Sequence, residues 1–376
     1  MNAASTMTAR AVLLAAAACV FPPACGAGKH AAGTAAKERA AGEEKNAHPA
    51  GVEGWIAALE DADPEVRKEA AGSLGRSGDP RAVEPLIGAL KDPDHEVVET
   101  AADALVALGD PAAEALMDLL ENDDTYLSLW AVEILKKMND PRAVEPLLAA
   151  LRKKPSLVTV EAADALAGIG PAAVPALIDT LGDSSEQVRG WAALALGKIA
   201  DKGAATALVK ILGDEALSVR QIAVWALGEI ADPETVEPLA ASLQDATSGI
   251  QKEAADALVK IGQPSFDALI SALGSADAFA RKNAARALGG LKDPAAVKPL
   301  AKLLAKGEAG ASEEAATALA EIGEAAVPAL IKALSSKKPA VAKSAAAALE
   351  KATGQSLGAD PAAWKAWWDG QAAGDM

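Results

Sequence analysis

Few side chains in this sequence are equipped for covalent or metal chemistry. The two cysteines, Cys19 and Cys25, both fall in the first 25 residues, so the rest of the chain has no thiol for nucleophilic or redox work. The histidines His30, His48 and His95 are scattered, and the single His95-Glu96 pair is too little for a multi-ligand metal site. Carboxylates are plentiful. Where they lie near arginine, as Asp183 with Arg189 and Asp214 with Arg220, their recurrence suits an inter-repeat ladder better than an acid–base pair. What remains is recognition chemistry, carried by Trp191, Leu194, Ile222 and Trp225 with acidic Glu161 and Asp164 before them and Glu253 and Asp256 after. Tryptophan exposed inside a polar rim is the pattern of a binding hot spot. Trp130, with Tyr126 and Leu129, extends it toward the amino terminus. No catalytic residue, cofactor or metal is expected.

These side chains share a surface only if the chain repeats. It does, about every 30 residues. One unit reads PRAVEPLIGALKDPDHEVVETAADALVALGD from Pro80 to Asp110, and later units open PRAVEPLLAAL at Pro141 and PETVEPLAASL at Pro233. Each carries the signals of two helices. Asp-Pro, as at Asp79-Pro80, Asp140-Pro141, Asp232-Pro233 and Asp293-Pro294, offers a capping carboxylate and a proline at the first helical position. A further proline (Pro85, Pro146, Pro238, Pro299) is expected to bend the first helix. Glycine after Ile169, Ile261 and Ile322 is expected to end the second helix in a left-handed cap.

Counting from the first aliphatic residue of a second helix, Val188 for example, positions 0, +4, +7, +8 and +11 lie within roughly 100° of one another. One hairpin cannot hide that stripe, so neighbours must stack. Composition agrees: of 376 residues 51% are hydrophobic but only 3% aromatic, which suits thin layers packed with Ala, Leu and Val. Position +3 holds Trp130, Glu161, Trp191, Ile222 and Glu253 in turn; position +6 holds Asp164, Leu194, Trp225 and Asp256. The first lies at the edge of the stripe and the second points away from it. Two arrangements are open: an exposed patch, or tryptophans packed on neighbouring repeats.

The D-P-x-A-V-x-P-L and V-R-x-x-A-A-x-A-L-G patterns resemble HEAT-like repeats, especially the short bacterial kind named after phycobilin lyases, over residues 52–354. The resemblance implies an all-α, right-handed α-α superhelical solenoid of about ten hairpins whose second helices line the concave surface. It also raises enzyme readings. Lyases of this type need a polar constellation for a bilin; hydroxylases of this type need several His-Glu pairs; glycosylases need a basic groove. None is evident, and a net charge of −16 argues against nucleic acid. A monomeric, non-catalytic binder of a protein or peptide is expected, its ligand presenting an apolar element flanked by basic residues. A passive spacer is the alternative.

Four segments follow. Residues 1–25 combine Arg10, an apolar run from Ala11 to Phe21 and small residues, the regions of an export signal. Ala24-Cys25-Gly26 resembles a bacterial lipoprotein processing site, with Pro22 and Pro23 departing from the pattern and Cys19 as a second candidate for lipidation. Plain cleavage and release is the alternative. Residues 26–50 read as a flexible linker, 51–354 as the repeats, and 355–376 as a capping helix bearing Trp364, Trp367 and Trp368. The expected location is the periplasm or outer membrane, with membrane contact only through a lipid, or the exterior.

Overall fold

The chain folds as an all-α solenoid of stacked helical hairpins. The computed structural model describes residues 51–153 and 157–374. The segments 1–25 and 26–50, with Cys19 and Cys25, lie outside the described residues. Contacts divide the chain between Ala173 and Val174 into two units.

The first unit stacks four hairpins: α1 (Val52–Ala58) with α2 (Pro64–Ser77), α3 (Val83–Ala89) with α4 (His95–Leu108), α5 (Asp110–Leu119) with α6 (Thr125–Met138), and α7 (Val144–Leu151) with α8 (Leu157–Ile169). The second begins with α9 (Val174–Thr180) and α10 (Glu186–Ile199), then α11 (Ala205–Lys210) and α12 (Leu217–Ile230). It continues with α13 (Val236–Ser242) and α14 (Ser248–Ile261), and α15 (Phe266–Ala272) and α16 (Ala278–Leu291). Two more hairpins, α17 (Val297–Lys306) with α18 (Ala311–Ile322) and α19 (Val327–Leu334) with α20 (Pro339–Thr353), precede the last helix α21 (Pro361–Gly374). Residues 157–180 are long and apolar enough to suggest a membrane crossing, but a 3-10 turn at Gly170–Ala173 breaks them into α8 and α9.

The Asp-Pro signals cap as expected, though what they cap is a 3-10 turn. The Asp79, Asp140, Asp232 and Asp293 carboxylates accept from the N–H two residues on, and a three-residue 3-10 turn leads into each first helix. The second proline therefore removes no hydrogen bond from within the first helix. Pro85, third residue of α3, stands where a helix has no partner for its N–H. The glycine ends also differ from expectation. Gly262 and Gly323 have φ +84° and +85°, but ψ near −140°, outside the left-handed helical region. That conformation is essentially confined to glycine.

Second helices pack on one another along each stack. In α10, Val188, Ala192, Ala195 and Leu196 are buried. Glycine or another small residue at +9 sets how near the next helix comes. A Cβ added to Gly75, Gly197 or Gly289 would lie 2.7–2.8 Å from the Cα of Ala104, Ala226 or Ala318 on the following second helix.

Position +1 supplies the rungs that join hairpins. The Arg189 guanidinium donates from Nε and Nη2 to both carboxylate oxygens of Asp214, each at 2.7 Å, and from Nη1 to the Asp183 and Ser184 carbonyls. Arg67 does the same with Asp92, and Arg220 and Arg281 pair with Asp245 and Glu308. Gln251 fills the place on α14, donating to the Asp245 carbonyl and to Asp277. The carboxylate–arginine ladder is thus between repeats: Arg189 takes the carboxylate of the next hairpin and only a main-chain oxygen of Asp183. Val98, Ser128 and Thr159 occupy the position on α4, α6 and α8, where no such rung can form. Among the described residues the Thr159 hydroxyl has no hydrogen-bond partner.

Candidate functional site

Positions +3 and +6 of the second helices flank the buried stripe, so their side chains are neither sealed in nor free. Trp191, Leu194, Ile222 and Trp225 are all half-buried, as are Trp130, Glu161, Asp164, Glu253 and Asp256. The boundary at Ala173 places Trp130, Glu161 and Asp164 in the first unit and the other six in the second.

In the second unit the apolar four stand on α10 and α12, which pack directly on one another. Trp225 leans over Gly197: a Cβ there would lie 2.5 Å from the ring edge. Ile222 reaches toward Gly190 in the same way, with its Cδ1 3.4 Å from where a Cβ would be. The glycines of α10 therefore seat part of the α12 side chains. The remaining area forms an apolar strip, next to which α14 presents Glu253 and Asp256.

Those two carboxylates differ electrostatically. Asp256 is held by Arg286 at 2.9 Å. Glu253 titrates above the usual glutamate range, because burial disfavours its charge and Asp256 adds like-charge repulsion. A raised carboxylate costs stability once deprotonated, so the cost is absent below the ordinary glutamate range and grows as pH rises through the folded-state value. Glu253→Gln is accordingly expected to raise the urea midpoint at neutral pH and leave it unchanged near pH 3. An equal gain at both pH values would mean that packing is the cause.

In the first unit a hollow of about 600 Å³ opens between α4, α6 and α8. Trp130, Tyr126, Leu129 and Glu161, singled out from the sequence, line it. His95, Glu99, Asp103, Glu133 and Lys137 also line it, and sequence reasoning did not bring them together. Position +9 differs here from several other second helices. Val106 and Lys136 stand where glycine draws other helices close, and α4 approaches α6 less closely than α2 approaches α4. Among the described residues no three His, Cys, Asp or Glu side chains converge as metal ligands. The arrangement is suited to binding through apolar area and negative charge.

The sequence profile of the HEAT repeats matches residues 52–136, 144–220 and 205–278, more than half of the chain. That of the PBS lyase HEAT-like repeat matches residues 129–153, 280–306 and 313–336. No curated protein matches at a significant level. Among solved structures, an engineered protein aligns over 80% of this chain and 98% of its own, at 28% identity and a TM-score of 0.36. The karyopherin Kap121p, bound to the extreme C-terminus of the protein phosphatase Cdc14p, aligns over 80% of this chain and 42% of its own. Identity there is 15% and the TM-score 0.52. The complex of CpcE and CpcF of phycocyanin lyase from a Nostoc species aligns over 60% of this chain and 94% of its own, at 25% identity and a TM-score of 0.28. The chain thus spans less than half the length of the karyopherin it matches.

Proposed function

Because this chain belongs to the HEAT-repeat family, whose fold suits protein interaction, we propose that it is a non-catalytic scaffold binding a protein or peptide on its second-helix face. The observation that carries the reading is the apolar strip of Trp191, Leu194, Ile222 and Trp225 on α10 and α12, half-open where the neighbouring helices present polar side chains. Glu253 and Asp256 on the adjoining α14 favour a partner with Lys or Arg beside an apolar element. The matched karyopherin is a far longer protein bound to the extreme C-terminus of a protein phosphatase, which supports a protein as the kind of ligand and no more.

We place the protein in the bacterial cell envelope on residues 1–25 alone, anchored by a lipid on Cys25 or released after cleavage. Nucleic acid is disfavoured as a partner by the acidic net charge. A passive spacer is the second reading, favoured by the seating of Trp225 against Gly197.

The test uses the chain and its Trp191→Ala, Trp225→Ala variant, both checked for helicity, as baits in envelope extract. A protein held by the first and lost by the second is then purified and titrated directly against both. Direct binding weakened at least tenfold in the variant is the expected result, each anchor contributing about 1–2 kcal/mol. Equal binding by both moves the site off α10 and α12. Failure of any captured protein to bind directly leaves the spacer.

A further inference from the structure

The hollow between α4, α6 and α8 combines two features that attract the same kind of group. Tyr126 and Trp130, one turn apart on α6, meet edge to face with ring centroids 6.5 Å apart and planes at 73°. Tyr126 is 42% exposed, so its ring is open to a ligand. Around the rings stand Glu99, Asp103, Glu133 and Glu161, against Lys137 as the one lysine of the lining.

Most of this charge is partly answered from within. Lys137 meets Asp103 at 3.1 Å, Lys136 meets Glu161 at 3.6 Å, and His95 Nδ1 is 3.5 Å from Glu99. Glu133 is different: among the described residues it has neither a hydrogen bond nor an ion pair. It lies three residues after Trp130, hence on the same face of α6. An isolated carboxylate on an acidic protein would mean little. Beside two accessible rings it completes a site in which ring quadrupole and formal charge both favour a cation.

Chemistry narrows the occupant. The carboxylates repel an anion, and a bare metal ion finds no convergent ligand set. The hollow is in the size range of small-ligand pockets and open to solvent, which suits a short stretch of chain entering with one side chain inserted. A planar guanidinium can stack on a ring while its edge meets a carboxylate in two parallel hydrogen bonds, which an ammonium cannot do.

We propose that this hollow is a docking site for an arginine-bearing segment of a protein partner, the guanidinium stacked on one of the two rings, Trp130 or Tyr126, beside the other and paired with Glu133. The proposal rests on the scaffold reading but on a different set of residues.

The probe is the peptide acetyl-Gly-Arg-Leu-Arg-Gly-amide, with a counterpart in which citrulline, of the same shape and uncharged, replaces both arginines. Each is titrated into the full chain while the tryptophan indole N–H resonances are followed, Trp130 being assigned from Trp130→Phe. A saturable shift of the Trp130 indole is expected with arginine and not with citrulline. Affinity should fall about three- to thirtyfold in Trp130→Ala and largely survive in Trp130→Phe. Glu133→Gln should weaken it about two- to fivefold, with less effect at high salt. Equal binding of the citrulline peptide, or shifts at Trp191 and Trp225 with none at Trp130, overturns the proposal. So does binding of free arginine amide as tight as that of the peptide, which would make the hollow a small-molecule site. If a partner held by α10 and α12 binds Trp130→Ala, Glu133→Gln undiminished and the peptide does not bind, this inference falls and the scaffold reading stands. If the arginine peptide binds as expected and no partner depends on Trp191 and Trp225, the hollow stands and that reading falls.

Discussion

Trp364→Ala is expected to loosen the carboxy-terminal hairpin by about 3–5 kcal/mol while leaving the middle of the array intact. Trp364 is fully buried, the one buried aromatic among the described residues. It sits on α21, which packs on α19, and its indole N–H donates to the Gly358 carbonyl at 2.8 Å. Trp367 stands against it edge to face at 5.8 Å. Removing the indole leaves a large void under a terminal helix and an unmatched carbonyl. In a stack whose hairpins touch only their neighbours, such a loss stays local. Hydrogen exchange of α19–α21 amides should accelerate roughly a hundred- to several thousandfold, while α10 and α12 amides keep their rates. Trp364→Phe, which keeps most of the packing and loses the donor, should cost about 1–2 kcal/mol. Acceleration spread evenly along the chain would show that α21 is not a local seal.

Arg189→Ala should cost about 3 kcal/mol at neutral pH, for a reason that is electrostatic before it is steric. The Arg189 and Asp214 side chains are 10% and 8% exposed. Without the guanidinium, the Asp214 carboxylate keeps only the N–H of Ala216. The Asp183 and Ser184 carbonyls lose their donor as well. Arg189→Lys should restore little, since an ammonium cannot bridge four acceptors set out for a fork. The pair Arg189→Met, Asp214→Asn should recover most of the loss, because removing both charges costs less than stranding one. The pH dependence carries a sign. Arg189 hydrogen bonding holds Asp214 below the usual aspartate range, outweighing the effect of burial. Stability from this group is present above the unfolded value near pH 4 and is lost as pH falls through the folded one. Urea midpoints of the parent and Arg189→Ala should therefore differ widely at neutral pH and draw together as pH falls below the ordinary aspartate range. A gap that persists in acid would assign the loss to packing and to the two main-chain carbonyls that Arg189 serves. Glu253, raised by burial, runs in the opposite direction.

The repeat was legible because its signals are local. Asp-Pro, the aliphatic stripe and the arginine rungs each recur at fixed spacing, so one unit predicts the next. What escaped was set by exact backbone angles and by packing between helices. Pro85 reads as a kink until the 3-10 turn before it moves it into the first helical turn. Gly262 reads as an ordinary cap because sequence shows that a positive φ is allowed and says nothing about ψ. A helical wheel puts Trp225 at an outer position, yet Gly197, on another helix and 28 residues earlier, decides how far the ring can settle. The hollow on α4, α6 and α8 lies likewise between side chains from three helices, which no single repeat brings together.

The rungs at position +1 also bear on mechanics. In the second unit Arg189, Arg220, Gln251 and Arg281 tie successive hairpins by short, largely enclosed bonds, so that stack should behave as a stiff spring. In the first, Arg67 makes one such tie, and beyond it the hairpins are linked by solvent-facing pairs such as Lys91 with Asp124 and Lys137 with Asp103. Exposed pairs of this kind are individually worth about 0–1 kcal/mol and yield readily to load. Under tension the compliance of the first unit would concentrate in α4–α8, around the aromatic hollow, and the grip of that hollow would vary with the strain placed on the chain.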